Sequence, residues 1–277
     1  MLIVIDGLRA DGVTPTLTPH LSDLVQRGSH TLTAECVSPS LTIPNLVSML
    51  TGFTPALHGF ASNDDPGEVF ADGTILEHAR KAGYTTALYL GKAKLRLLAG
   101  PGSPNRLLIT QTTSSRTLVE SVIADLSIPE SQWGLSVVHL VEPDVIGHQV
   151  GWMSSMYLRA VSVADVHVGR LLEALRACGL VEETLVLVTS DHGGVGFHHI
   201  RDVPEVRRVP WVAAGCGVRS GYLIPRTVRT LDTAPTILRA LGVDIPPVME
   251  GEVVEEIFEV PSSVPQVEAS QTTQSSL

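Results

Sequence analysis

Short apolar and β-branched runs in this chain end repeatedly on an acid or an imidazole. Asp6 closes Met1–Ile5, Asp144 and His148 follow Val137–Val141, and Asp191, His192 and His199 follow Leu185–Ser190. Longer stretches with helical spacing separate these runs, and strands alternating with helices build a sheet covered on both faces. In a parallel sheet the loops at the carboxyl edge share one crevice. The pattern predicts an α/β chain folded as a three-layer α/β/α sandwich with a mostly parallel central sheet. Carboxylates and imidazoles gathered at its edge suit a divalent metal, so the chain reads as a metalloenzyme.

The runs place strands at Leu2–Ile5, Thr31–Val37, Thr85–Leu90, Leu107–Ile109, Leu135–Val141, Leu185–Thr189 and Val209–Ala214. Helices are expected at Thr18–Gln26, at Thr74–Lys81 with Gly83 past its end, and at Ser114–Leu126, Ser154–Ala177 and Leu231–Leu241. In the longest, Ala160, Val163, Ala164, Val168, Leu171, Leu172 and Leu175 form one apolar face.

The 277 residues, 44% of them hydrophobic, suffice for one large core, placed at 1–258; the polar 259–277 reads as a disordered tail. A net charge of −10 without a Lys/Arg cluster argues against a nucleic-acid groove or an anionic membrane surface. Cys36, Cys178 and Cys216 are widely spaced and read as small buried hydrophobes in a reducing compartment. Asp6 interrupts the first apolar run, so no signal peptide is expected. No stretch is long enough to span a bilayer, and a cytoplasmic protein follows. Because the first strand begins at residue 1, the true start is expected a few residues upstream.

Asp191-His192-Gly193-Gly194 puts an acid and an imidazole at a strand's end, with glycines that let the backbone turn away; a solvated Asp-Gly turn has the same sequence. In Glu142-Pro143-Asp144-Val145-Ile146-Gly147-His148, Pro143 suits a first helical turn. Four residues then separate Asp144 and His148 on one face, although an acid that merely favours the helix dipole also fits. Glu142 reads as a solvated or supporting acid. Thr42, ahead of Ile43-Pro44-Asn45 and a helix through Leu50, is either an N-cap or a hydroxyl activated at the helix's positive end. Asn63 stands in a polar loop after His58-Gly59. Three carboxylates and three histidines make two ligand sets, and with a threonine oxygen they complete a two-metal phosphoryl-transfer site.

These motifs in order resemble the alkaline phosphatase superfamily, and within it the type I phosphodiesterase/nucleotide pyrophosphatase branch. They are Ile5-Asp6-Gly7-Leu8-Arg9, Thr42-Ile43-Pro44-Asn45 with Thr51-Gly52 and His58-Gly59, Pro143-Asp144 with Gly147-His148, Ser190-Asp191-His192-Gly193-Gly194, and Asp232-Thr233-Ala234-Pro235-Thr236 before Leu241-Gly242. The resemblance runs from Leu2 to Gly251 and implies an alkaline phosphatase-like fold. It implies two divalent ions, zinc by family habit with manganese compatible. One would be held by Asp144, His148 and His199, with His198 as the rival of His199, and the other by Asp6, Asp191, His192 and Thr42. Thr42 would attack phosphorus and form a phospho-threonine, and Asn63 would donate to a phosphoryl oxygen. The implied activity is cleavage of a phosphodiester or pyrophosphate bond in a small phosphorylated metabolite.

Ile43 departs from the aromatic residue that commonly follows the family's nucleophile, which weakens a nucleotide-binding reading. Phosphomonoester or phosphonate hydrolysis on the same scaffold is the alternative, with Arg9 and Arg96 as its candidate cations. A C/S-x-P-x-R nucleophile sequence is absent, which disfavours a sulfatase. A non-catalytic metal-binding homologue acting as a partner or regulator is the alternative of another class.

Overall fold

The computed structural model describes residues 1–64, 73–100, 102–128 and 133–259. In chain order its elements are β1 (Leu2–Ile5), α1 (Pro19–Arg27), β2 (Ser29–Glu35), α2 (Thr42–Thr51), α3 (Pro55–His58), α4 (Ile75–Lys81), β3 (Thr85–Leu90), β4 (Arg106–Ile109) and α5 (Arg116–Leu126). They continue with β5 (Trp133–Leu140), α6 (Glu142–Val150), α7 (Ser155–Ala177), β6 (Leu185–Thr189), α8 (Pro204–Arg207), β7 (Arg208–Gly215), β8 (Tyr222–Leu223) and α9 (Thr233–Leu241).

The strands form one sheet in the order β4-β3-β5-β1-β6-β7-β2-β8. Only the pairings of β7 with β6 and with β2 are antiparallel, so the sheet is mixed and mostly parallel. Alternate side chains of β1 serve opposite layers. Leu2 and Val4 pack with residues of α2, α4 and α9. Ile3 and Ile5 pack with residues of α1, α5 and α7. Burial on both faces explains why β1 reads as an unbroken apolar run. Each such aliphatic side chain contributes roughly 1.5–3 kcal/mol when fully buried.

Several boundaries move for identifiable reasons. β2 ends at Glu35, two residues before the β-branched run does, because the Asn45 side chain captures Val37: Asn45 Oδ1 accepts from Val37 N at 2.8 Å and Nδ2 donates to Val37 O at 3.2 Å. Val163 is 44% exposed, not part of the α7 core face. At helical pitch it projects about 120° from the stripe's centre. Cys36 is buried as expected, but Cys178 and Cys216 are exposed. Both follow the end of a secondary-structure element, at the surface. From residue 260 onward the expected tail lies outside the described residues.

Candidate metal and phosphoryl-transfer site

Four neighbouring parallel strands, β3, β5, β1 and β6, deliver their following residues to one edge. Asp6 follows β1, Lys92 follows β3, Asp144 follows β5, and Asp191 and His192 follow β6. The backbones there are tied directly, since Asp6 N donates to Leu140 O at 2.9 Å and Asp144 N to Asp6 O at 3.0 Å. Gly7 makes the approach possible: its φ is +72°, and a Cβ there would lie 2.8 Å from Asp144 Cα.

The nitrogen and oxygen atoms of Asp144, His148 and His199 lie within 4.8 Å of one another, and those of Asp6, Asp144 and His192 do the same. The first group is the one the resemblance implies. In the second, Asp144 stands where Asp191 was expected. Asp191 is nonetheless adjacent, with Oδ2 3.3 Å from His192 Nε2, itself 3.6 Å from Asp6 Oδ1. His199, not His198, is the inward member; it is buried and His198 is exposed.

Backbone carbonyls fix all three imidazoles. Nδ1 of His148, His192 and His199 lies 2.8, 2.9 and 2.7 Å from Phe197 O, Gly193 O and Ser40 O. A carbonyl only accepts, so Nδ1 carries the proton and Nε2 presents a lone pair in the neutral ring. Burial holds the pKa of His192 below its ordinary value. Burial and then the neighbouring His192 lower that of His199 to about 3. Their rings stack at 3.7 Å, a contact that two cations would resist. Asp144 instead raises the His148 pKa, but the lone pairs of neutral His192 and His199, facing carboxylate oxygens, call for a cation between them. Buried atoms without a hydrogen-bond donor or acceptor include Asp6 Oδ1, Asp144 Oδ1, Asp191 Oδ2, His192 Nε2 and Thr42 Oγ1. This donor set fits divalent ions.

The charges agree with that fit. Burial opposes ionisation of Asp6, but Lys92, then His139 and His192, hold it well below the usual carboxylate range. Burial and the Asp6 charge oppose ionisation of Asp144, yet Lys92 and His148 bring it to about 2. Burial and the Asp6 charge push Asp191 well above its ordinary value. One ammonium does not neutralise three adjoining carboxylates.

Thr42 is not an N-cap. The cap position of α2 is Leu41, and the Thr42 hydroxyl, 1% exposed, makes no capping bond. The cap is supplied from outside by Asn63, whose Oδ1 accepts from Ile43 N at 2.9 Å. That bond orients the side chain and leaves the Asn63 Nδ2 donors uncommitted among the described residues. Ser40, whose carbonyl holds His199, brings the segment before Thr42 to the cluster. Ile43 is fully buried in the core and cannot stack against a substrate.

His58 anchors the loop leading to Asn63. Phe60 N donates to His58 Nδ1 at 3.1 Å, so Nε2 carries the proton and donates to Ser48 Oγ at 3.0 Å. Burial lowers the His58 pKa to about 4. Below pH 6.5 the unfolded chain takes up this proton first, so stability is complete above that pH and lost as pH falls towards 4. Urea titrations should show about 2–3 kcal/mol more loss across this window in the wild type than in His58→Gln. Parallel losses would remove His58 as the cause.

Lys92 was missed in the sequence, although it closes the apolar run Thr85–Leu90 as the acids close theirs. Its Nζ lies 2.6 Å from both Asp6 Oδ2 and Asp144 Oδ2. Burial alone would lower its pKa, but Asp6 and Asp144 hold it above the ordinary value. The expected cations serve elsewhere: Arg9 pairs with Asp11 and donates to Gly194 O, and Arg96 is exposed. His139, inside β5, was also missed; its Nε2 is 3.0 Å from Asp6 Oδ2. Glu142 is buried rather than solvated, accepting from Ser115 N and Oγ at 2.5 and 2.7 Å.

Trp152 was not singled out either, yet three ligand motifs meet on its indole. Nε1 donates to Gly7 O at 2.9 Å, and a Cβ on Gly147 or Gly194 would come within 2.7 or 2.2 Å of the ring. The ring also meets His148 edge-on, with centroids 5.0 Å apart.

Residues 1–208 match the model of the family described as type I phosphodiesterase / nucleotide pyrophosphatase. Ectonucleotide pyrophosphatase/phosphodiesterase family member 3 of Rattus norvegicus is 27% identical over 70% of this chain and 24% of its own. Bis(5'-adenosyl)-triphosphatase enpp4 of Xenopus laevis is 26% identical over 70% of this chain and 46% of its own. The chain thus spans a quarter to a half of the length of these curated relatives. In structure, murine ectonucleotide pyrophosphatase / phosphodiesterase 5, solved as an inactive form with AMP, superposes with a TM-score of 0.82 at 16% identity, covering 93% of this chain and 99% of that one. That likeness concerns the fold, and among the described residues no helix is long and apolar enough to cross a membrane. With three quarters of its length matched, the chain belongs to the type I phosphodiesterase/nucleotide pyrophosphatase family.

Proposed function

We propose that this chain is a metal-dependent hydrolase that cleaves a phosphodiester or pyrophosphate bond in a small phosphorylated metabolite, with Thr42 as nucleophile. The observation carrying this reading is the convergence of carboxylate oxygens and imidazole nitrogens at one buried edge, with the buried Thr42 hydroxyl left without a partner. Asp144, His148 and His199 would hold one divalent ion and Asp6, Asp191, His192 and Thr42 the other; the Asp144 carboxylate lies in both close atom groups. Zinc or manganese suits these donors, and when bound the pair supplies a lowered hydroxyl pKa and charge neutralisation at phosphorus.

The Thr42 oxygen attacks phosphorus, the bond to the leaving oxygen breaks, and a phospho-threonine forms; water then restores the hydroxyl. His139 holds Asp6, and the carbonyls of Phe197, Gly193 and Ser40 aim the three imidazoles. The relatives whose names specify pyrophosphatase or phosphodiesterase support the bond type, whereas buried Ile43 speaks against base stacking at that position. Exposed free thiols at Cys178 and Cys216 suit the cytoplasm. Neither a nucleic-acid groove nor a membrane enters this reading.

The test is elemental analysis of zinc-reconstituted protein alongside turnover of an aryl diester and a dinucleoside polyphosphate. Two ions per chain with turnover of either substrate is expected; a folded protein that binds none ends the reading. Asn63→Ala should lower turnover by about ten- to a thousandfold at unchanged metal content, as loss of an oxyanion donor does. Undiminished turnover would reduce Asn63 to an external cap.

A further inference from the structure

Lys92 is not among the proposed metal ligands, and the reaction above gives it no part. Its Nζ is centred between Asp6 and Asp144, 2.6 Å from each, and the side chain is 14% exposed. Lys94, two residues along the same turn, is half-buried and feels the charges of Lys92, Asp6, Asp144 and Asp191. His139 and His192 also face Asp6. Two divalent ions offset the three carboxylates and one alkoxide, so the Lys92 ammonium is surplus positive charge. With ions bound, the Asp6 and Asp144 oxygens would no longer be free to pair with Lys92, and its ammonium would attract a further anion. A diester phosphoryl group carries a single negative charge, and a monoester carries two near neutral pH.

We propose that Lys92 gives this site a phosphomonoesterase activity beside diester cleavage, the ammonium binding a non-bridging oxygen of a dianionic phosphoryl group. This rests on the metal-hydrolase reading above and adds the substrate's charge to it. In the reaction the Thr42 Oγ–P bond forms and the P–OR bond breaks, with the alcohol leaving after taking a proton from solvent. Water then forms a P–O bond as P–Oγ breaks, so one monoester and one water give one alcohol and one orthophosphate.

The experiment compares an aryl phosphate with its methyl diester, sharing one leaving group, in zinc-loaded wild type, Lys92→Met and Lys92→Arg. Lys92→Met should lower the monoester-to-diester ratio of kcat/KM by about 10–100-fold, and Lys92→Arg should restore much of it, because a charged hydrogen bond is at stake. Metal content of each variant is measured on the same sample. Orthophosphate titrated calorimetrically into each protein, with and without zinc, supplies a readout independent of turnover. Binding at least tenfold weaker in zinc-loaded Lys92→Met is expected. An unchanged ester ratio, or equal phosphate affinity in Lys92→Met and wild type, would overturn the proposal. If wild type cleaves neither ester, the hydrolase reading fails by itself, while the phosphate titration still decides what Lys92 binds.

Discussion

Thr42→Val should fold as well as wild type and lose hydrolysis by about 10⁴-fold or more, while Thr42→Ser keeps much of it. The hydroxyl is buried without a partner, so replacing it with a methyl group removes an unsatisfied polar atom rather than a bond. Nor is a cap lost, because Asn63 satisfies the Ile43 amide. Thermal midpoint and diester turnover must be measured together. Near-wild-type turnover in folded Thr42→Val would mean that water attacks phosphorus directly, and the phospho-threonine would be abandoned.

The second large effect is expected at Asp144. Its carboxylate belongs to both atom groups, whereas His148 belongs to one. Asp144→Ala should therefore deplete both ions and reduce turnover at least about a thousandfold, while His148→Ala should deplete one. Mass-spectrometric metal counts on zinc-reconstituted variants give the answer. Equal metal loss in the two variants would show that Asp144 serves a single ion.

The central strands were legible because β1, β5 and β6 are apolar enough to be buried on both faces, and their following acids stand out against such runs. The same contrast hid Lys92: a lysine after a strand reads as solvated, and only the convergence of Asp6 and Asp144 shows otherwise. His139 was hidden in the alternation of β5. The end of β2 was obscured because Asn45, ten residues beyond Glu35, captures Val37 in a way no local pattern announces. For Thr42, local sequence favoured a cap and only the family resemblance pointed to a nucleophile; the cap came from Asn63, twenty residues from Ile43.

The meeting of Gly7, Gly147 and Gly194 at the Trp152 indole bears on how the chain acquires its ions. Its partners come from opposite ends of the sequence, as when Gly7 N donates to Asp191 Oδ1 across 184 residues. Small metal-nucleated domains fold around an ion that local ligands capture early. Here the proposed donors follow β1, β5 and β6, and only the pairing of those strands brings the full sets together. On the proposed ligand sets ion capture would be a late event in folding, and a chelator is expected to strip the ions while leaving the sheet intact. On that reading the ions would report that the architecture is complete rather than build it.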